Sequence, residues 1–332
     1  VYCQKTMPCW FNIFSSFWTP RRKTPVITPK GEMPVFASLV RFLWELPKSF
    51  RDSAVFARMD ETTLGNDMTD ESGQAEKSAT RTLEGAFGER MQAFLEALGF
   101  LTVFPVFGLK GTPSEGVAFF PLVGFLLGAL YALLWVGPLS AMSPELAALA
   151  ILGLDFVLTR GLHLDGLADT FDGLFATKTK NERLAILDDT RIGAFGVFGI
   201  VFGAVGLVAA VSALPGAWQL QGILGFPLAG RLALVQLAYL GEPAKESGLG
   251  YGFLATLPKS GLLEALLVGG GLLLLIKPSL VFLAWVMGIT FLWSVTWAWV
   301  CQRAFGGITG DTLGCHAFLS SLLYLVSLVC LT

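Results

Sequence analysis

The sequence predicts an all-α fold: a polytopic transmembrane helix bundle of about seven spans, six to eight at the extremes, introduced by an amphipathic or re-entrant segment. Three observations predict it. The 332 residues are 54% hydrophobic and 14% charged, whereas a soluble domain carries about 25% charged residues. The charges are also unevenly placed, with 12 Lys+Arg and 11 Asp+Glu in residues 1–90 but only 11 and 14 in residues 91–332. From Met91 onward, apolar runs follow one another at close to the roughly 20 residues that a bilayer crossing needs. Most of the surface after residue 90 therefore faces lipid.

The same numbers exclude other classes. A net charge of −2 offers no basic footprint for nucleic acid. Disorder requires low hydrophobicity and high charge, the reverse of residues 91–332. Cys3, Cys9, Cys301, Cys315 and Cys330 form an odd, scattered set with no CxxC pair, which indicates neither a disulfide framework nor a zinc site.

The chain divides at residue 90. Residues 1–90 are a polar extension, partly disordered in expectation and without an assigned role. Thr19–Pro34 is basic and proline-rich, Asp60–Ser78 is polar and acidic, and Val35–Phe50 has some amphipathic character. The chain opens on Val1, which fits a fragment or an extended reading frame with Met91 as a candidate start. Residues 91–332 form the membrane-embedded domain. Met91–Val106 is its opening segment, followed by expected spans at 118–138, 145–159, 193–214, 222–240, 261–276, 279–300 and 316–331. Glycines within them, such as Gly203, Gly206 and Gly269–Gly271, allow close helix packing.

Orientation comes from the connections. Lys178, Lys180, Arg183 and Arg191 lie between the second and third spans, which the positive-inside rule places in the cytoplasm. Alternation puts loops 241–260 and 301–315 on the same side, with Lys245, Lys259 and Arg303. The opposite connections 139–144 and 215–221 carry no Lys or Arg, and 277–278 carries Lys277 alone. The polar motifs thus share one face.

The stretch that carries chemistry is Arg160–Gly193, RGLHLDGLADTFDGLFATKTKNERLAILDDTRIG. Asp165, Asp169 and Asp172 stand at i, i+4 and i+7, one face of a helix. Like charges at that spacing repel, so a divalent cation is the economical neutraliser. All-oxygen ligands suit Mg2+, which bridges a few carboxylates to substrate phosphates. Asp188 and Asp189 follow before the next span and could complete the site from a second helix end. Gly166 and Gly173 leave room beside the triplet. The alternative is a solvated acidic face with nothing bound.

Other residues are weighed beside these. His163, two positions before Asp165, points about 200° away on a helix and reads as a structural hydrogen-bonding residue. Arg183 and Arg191 are positive-inside anchors or phosphate clamps. Arg231 lies within an expected span, nine residues from its end, where an arginine needs a partner or a polar cavity. It is either a bidentate phosphate contact or one half of an internal salt bridge with an aspartate. Gly306–Gly314 (GGITGDTLG) could cradle an anion on backbone N–H groups, with Gly310 at the turn and Asp311 as a further ligand. Ser247–Phe253 (SGLGYGF) is a weaker version of the same signal, and the Trp-rich run Trp285–Trp299 reads as packing or an interfacial belt.

Taken in order and spacing, GLHLDGLADTFDGLF, RLAILDDTRIGAFGVFGIV and GGITGDTLG resemble the cobalamin synthase family, the adenosylcobinamide-GDP ribazoletransferases. The likeness covers about 91–332, including LGFLTVFPVFG and FFPLVGFLLGAL. It implies a multi-pass enzyme of the bacterial inner membrane with its active-site loops on the cytoplasmic side; the sequence leaves open whether it forms an oligomer. It also implies that adenosylcobinamide-GDP is joined to α-ribazole or α-ribazole 5′-phosphate, that adenosylcobalamin or its 5′-phosphate is made with release of GMP, and that Mg2+ is required. Two departures bear on the completeness of the polar site. Cys315–Leu322 lacks the glutamates common there in the family, and Val103 stands where an arginine is frequent.

On this reading Asp165, Asp169, Asp172 and Asp188 hold metal, Asp165 and Asp169 work at the reacting centre, and Asp189 is the candidate general base. Arg191, Arg231, Gly310 and Asp311 contact phosphate. Phosphoryl transfer of this kind needs positioning and charge neutralisation more than covalent chemistry, and with two ions both the attacking and leaving oxygens are stabilised. The nearest alternative is a CDP-alcohol phosphotransferase, disfavoured because Ala168 is followed by Asp169 rather than arginine. An ion-coupled transporter is the alternative from another class, disfavoured by acids gathered at one face.

Overall fold

The computed structural model describes residues 87–106 and 111–332, and the readings made for 1–86 lie outside the described residues. Eleven helices account for most of the rest. They are α1 (87–101), α2 (Phe120–Val136, entered through a short 3-10 turn), α3 (Pro144–Leu158), α4 (Leu162–Phe175), α5 (Lys180–Leu187), α6 (Ala194–Ala213), α7 (Gly216–Leu240), α8 (Leu249–Ala255), α9 (Gly261–Ile276), α10 (Leu280–Ala304) and α11 (Gly310–Leu331). The described residues contain no strand, only an isolated parallel bridge between Pro243 and Ile308. The all-α expectation stands.

Local sequence sets several helix ends. Ser143 caps α3, its side chain accepting from the amide of Leu146, and Pro144 occupies the first turn, where a missing N–H costs nothing. Ser279 caps α10 in the same way. Thr309 and Thr312 form a reciprocal capping box at the start of α11.

α7 is the axis of the bundle. Glycines on both of its flanks let neighbours approach to backbone contact. A Cβ on Gly124 or Gly128 of α2 would come within 2.5 or 2.3 Å of the Pro227 or Leu224 carbonyl oxygen. On the other flank, a Cβ on Gly230 would meet Ser321 and Ala317 of α11. Close approach of this kind replaces the hydrophobic drive that lipid cannot supply. Polar groups tie the interior as well: Ser294 of α10 hydrogen-bonds His316 Nε2 of α11 at 2.9 Å and Gln236 of α7 at 3.2 Å. Tyr131 of α2 donates to Asp155 of α3 at 2.9 Å, and Arg231 of α7 lies 3.6 Å from the same carboxylate.

The outer faces of α6 and α10 expose Phe195, Phe198, Phe202, Leu280, Val281, Leu292 and Trp299. Apolar side chains exposed along two helices in this number suit lipid. Among the described residues five helices are long and apolar enough to cross a membrane, and a sixth crossing results if α3 and α4 count as one broken span, bent by 91°. Six lies within the expected six to eight, and the preferred seven also counts the shorter apolar helix Gly261–Ile276. The run at 145–159 stops because the chain turns through Arg160 and Gly161, both left-handed with φ of 58° and 68°, and the run at 261–276 is a helix of only 16 residues. Two other boundaries move outward. α7 begins at Gly216 and α11 at Gly310; the polar head of α11 stays helical with Thr312–Cys315 buried, whereas Gly216–Gln221 at the head of α7 is exposed or half-buried. The opening segment is a helix over 87–101 with Glu96, Ala97 and Leu101 buried.

Candidate active site

The bend between α3 and α4 places the acidic helix. Arg160 donates from its guanidinium to the carbonyls of Gly99 and Phe100 at 3.0 and 3.1 Å, capping the C-terminal end of α1, where cations are favoured. α4 then runs against α11. A Cβ on Gly166 would stand 2.6 Å from the Asp311 carbonyl oxygen, and one on Gly314 would stand 3.0 Å from that of Leu162. Gly166 therefore serves helix contact rather than substrate room. Gly173 does likewise, facing Phe305 and Leu187. The consequence is electrostatic: Asp169 lies within the field of Asp165, Asp311 and Asp172.

A second pair of segments closes the site. The amide of Ile308 donates to the Glu242 carbonyl at 2.8 Å, and that of Ala244 to the Ile308 carbonyl at 2.9 Å. This clasp holds Lys245 beside α11. Its Nζ donates to Asp188 at 2.7 Å, and its charge also reaches Asp311. Gly250 at the start of α8 faces Gly310, where a Cβ would meet the Gly310 nitrogen at 2.7 Å.

Between these elements lies a cavity of about 420 Å³. Asp165, Asp188, Lys245, Gly310 and Asp311 line it, together with His163, Phe100, Leu234 and Phe253. Asp165, Asp188 and Gly310 are exposed, whereas His163, Leu234 and Phe253 are buried. The cavity is thus charged at its mouth and largely apolar inside, with the positive N-terminal end of α11 at the mouth.

The expected site residues separate into two sets. Asp165, Asp188, Gly310 and Asp311 line the cavity, and Asp169 couples electrostatically to two of them. The others have different surroundings. Asp172 accepts the amides of Gly193 at 2.7 Å and Gly196 at 2.8 Å, one on each oxygen, which anchors the first turn of α6. Asp189 holds Arg191 through both carboxylate oxygens, at 2.7 Å for the closest contact. The Arg191 hydrogen bonds bring the Asp189 carboxyl down to about 2, which suits an ion pair and not a proton acceptor near neutrality. Neither residue is among those lining the cavity. Arg231 takes the internal-salt-bridge alternative: it is 3% exposed and paired with Asp155.

Among the described residues no three His, Cys, Asp or Glu side chains form a ready-made metal cage. The donor set at the mouth is nonetheless all carboxylate, and Mg2+ commonly takes one or two carboxylates with waters and substrate phosphates completing the shell. The residues present fit that mode. Sequence reasoning passed over Lys245 as a side-orienting charge and His163 as structural, although both line the cavity. The signal for Lys245 was its place in a loop on the same face as the acids.

The match to known proteins covers this whole region. Residues 93–329 match the family described as cobalamin-5-phosphate synthase. The chain belongs to that family.

Curated members include proteins named adenosylcobinamide-GDP ribazoletransferase from several bacteria. The one from Syntrophobacter fumaroxidans is 39% identical over 246 residues, covering 72% of this chain and 98% of that protein. Those from Alkaliphilus metalliredigens and Klebsiella pneumoniae are each 34% identical, covering 96% and 100% of their own lengths. No solved structure matches the chain significantly. The family match spans every cavity-lining residue named above.

Proposed function

We propose that this chain is an adenosylcobinamide-GDP ribazoletransferase, acting in assembly of the cobalamin nucleotide loop. A ribose hydroxyl of α-ribazole, or of its 5′-phosphate, bonds to the cobinamide-side phosphorus of the pyrophosphate. The bond from that phosphorus to the bridging oxygen breaks, and GMP leaves with that oxygen. The observation that carries this reading is the cavity mouth, where carboxylates from α4 and α11 meet a clasped lysine and a helix N-terminus. At about 420 Å³ the cavity is of small-ligand size. It suits the ribazole and pyrophosphate, with the corrin left outside.

Each mouth residue has a part. Lys245 and the first-turn amides at Gly310 and Asp311 bind non-bridging oxygens and neutralise charge that spreads over them in the transition state. Asp165 and Asp311, which line the mouth, are the groups that would hold Mg2+, with Asp169 adding its charge beside them. When bound, the ion supplies electrostatic stabilisation of the pyrophosphate and its leaving oxygen. Asp188 positions Lys245 through their ion pair. The hydroxyl proton passes to a mouth carboxylate. The cluster of Lys178, Lys180, Arg183, Lys245, Lys259 and Arg303 supports a cytoplasmic placement of this mouth in a bacterial inner membrane. Lys180 donates to the Gln302 carbonyl at 3.0 Å, which brings two of these loops together.

Incubating membranes that contain the whole chain with adenosylcobinamide-GDP, α-ribazole and Mg2+ tests the proposal. Cobalamin and GMP should appear in equal amounts. Their absence, or equal turnover with CDP-diacylglycerol as donor, would overturn it.

A further inference from the structure

The turn from α3 into α4 has the hydrogen bonds of a Schellman motif. The Gly161 amide donates to the Phe156 carbonyl at 2.7 Å, and the Arg160 amide to that of Val157 at 3.2 Å. The left-handed residue that ends a helix in this way is usually glycine. Here it is Arg160, with φ of 58°, the only residue other than glycine with positive φ among those described. A Cβ in that conformation crowds the following carbonyl, and such strain persists only where the surroundings hold it. Arg160 is held through its side chain. Nη2 donates to the Gly99 and Phe100 carbonyls at 3.0 and 3.1 Å; both lie in the last turn of α1, where carbonyls lack intrahelical partners. Nearby the Val103 amide donates to the Leu158 carbonyl at 2.7 Å. The end of α1 and the break between α3 and α4 are therefore one junction.

Two walls of the cavity start from it. Phe100, stacked on Phe253, lines the cavity from α1, and Asp165 lines it from α4. The Asp165 amide closes the first turn of α4 on the Gly161 carbonyl at 2.8 Å. Arg160 itself is exposed and is not among the lining residues. Resting on the function proposed above, we infer that Arg160 is a positioning residue for the transfer: it sets the carboxylate wall of α4 against the aromatic wall of α1, and with them the groups that the two walls hold. Folding stability does not explain an arginine here. Glycine would take the same turn without strain, and a hydrogen bond that replaces one to water adds little. Transfer between two bound substrates depends on their alignment, where a displacement of about 1 Å can cost about 100-fold in rate.

The test uses the whole chain in membranes with adenosylcobinamide-GDP, α-ribazole and Mg2+, with GMP release as the readout and kcat counted per folded molecule. Arg160→Gly keeps the turn and removes the two side-chain bonds. It should lower kcat about tenfold, with the KM for each substrate within about twofold and the unfolding temperature in detergent within about 3 °C. Arg160→Lys, which keeps a cation near the same carbonyls, should restore part of kcat. Hydrogen exchange reads the junction independently of activity: the Val103 amide should exchange about tenfold faster in Arg160→Gly than in the unmodified chain. A cap that serves stability alone would lower the unfolding temperature and leave kcat per folded molecule in place, and that result overturns the inference. Unchanged exchange at Val103 overturns it as well. If the unmodified chain releases no GMP, the functional reading has failed and this inference with it; if Arg160→Gly turns over at the unmodified rate, the inference alone has failed.

Discussion

The ammonium of Lys245 donates to Asp188 at 2.7 Å, joining the loop after α7 to the end of α5 across the mouth of the cavity. The Asp188 side chain is 71% exposed and that of Lys245 27% exposed. An exposed pair of this kind contributes about 0–1 kcal/mol to folding, so its value lies in where it holds the charge.

Replacing Lys245 with Ala should therefore leave stability almost unchanged. It should raise the KM for adenosylcobinamide-GDP by about tenfold, the equivalent of roughly 1.4 kcal/mol. Lys245→Arg should recover part of the loss, and Asp188→Asn should give a smaller effect in the same direction. Steady-state kinetics on membranes read all three.

Asp172 and Asp169 should part company when mutated. Asp172 anchors α6 through two amides, so Asp172→Ala should cost about 1–3 kcal/mol of stability. That cost would appear as a lowered unfolding temperature in detergent. Asp169→Asn should leave the unfolding temperature in place and abolish GMP release.

The buried pair of Arg231 with Asp155 gives an asymmetric prediction. Arg231→Leu alone leaves a carboxylate unpaired in the bundle and should cost about 3–5 kcal/mol. The double variant Arg231→Leu, Asp155→Leu should recover most of that, because both charges go together. Thermal denaturation of the purified variants in detergent measures the recovery.

Gly166 separates helix packing from general tolerance. A methyl there would stand 2.6 Å from the Asp311 carbonyl oxygen, so Gly166→Ala should push α4 away from α11 and reduce turnover at least tenfold. Gly153 has no atom within 4 Å of an added Cβ. Gly153→Ala should keep full activity and gain about 0.5–1 kcal/mol from the lower backbone entropy of alanine.

Chelation addresses the metal directly. Treating active membranes with a magnesium chelator should stop GMP release, and added Mg2+ should restore it. Release that persists after chelation would remove the ion from the mechanism.

Much of the site was legible because spacing survives folding. The i, i+4, i+7 aspartates do fall on one helix, α4, and the glycine-rich stretch does lead into α11. What spacing could not show was how each charge is satisfied. Asp172 looks equivalent to Asp169 in the sequence, yet the α6 amides claim it. Arg231 had two open readings until α3 brought Asp155 beside it. The expected span at 316–331 missed the first turns of α11 because Gly310–Cys315 is too polar for a hydropathy run, though capping and burial make it helical.

By itself the sequence determined that residues 91–332 form apolar helices of a length suited to a bilayer and that Asp165, Asp169 and Asp172 share one helix, since hydropathy and periodicity are properties of the chain. Only the tertiary structure decided which acids share a cavity with Lys245 and His163. Helix crossings at Gly166 and Gly314, set by contacts far apart in the chain, bring together groups that no local pattern places side by side.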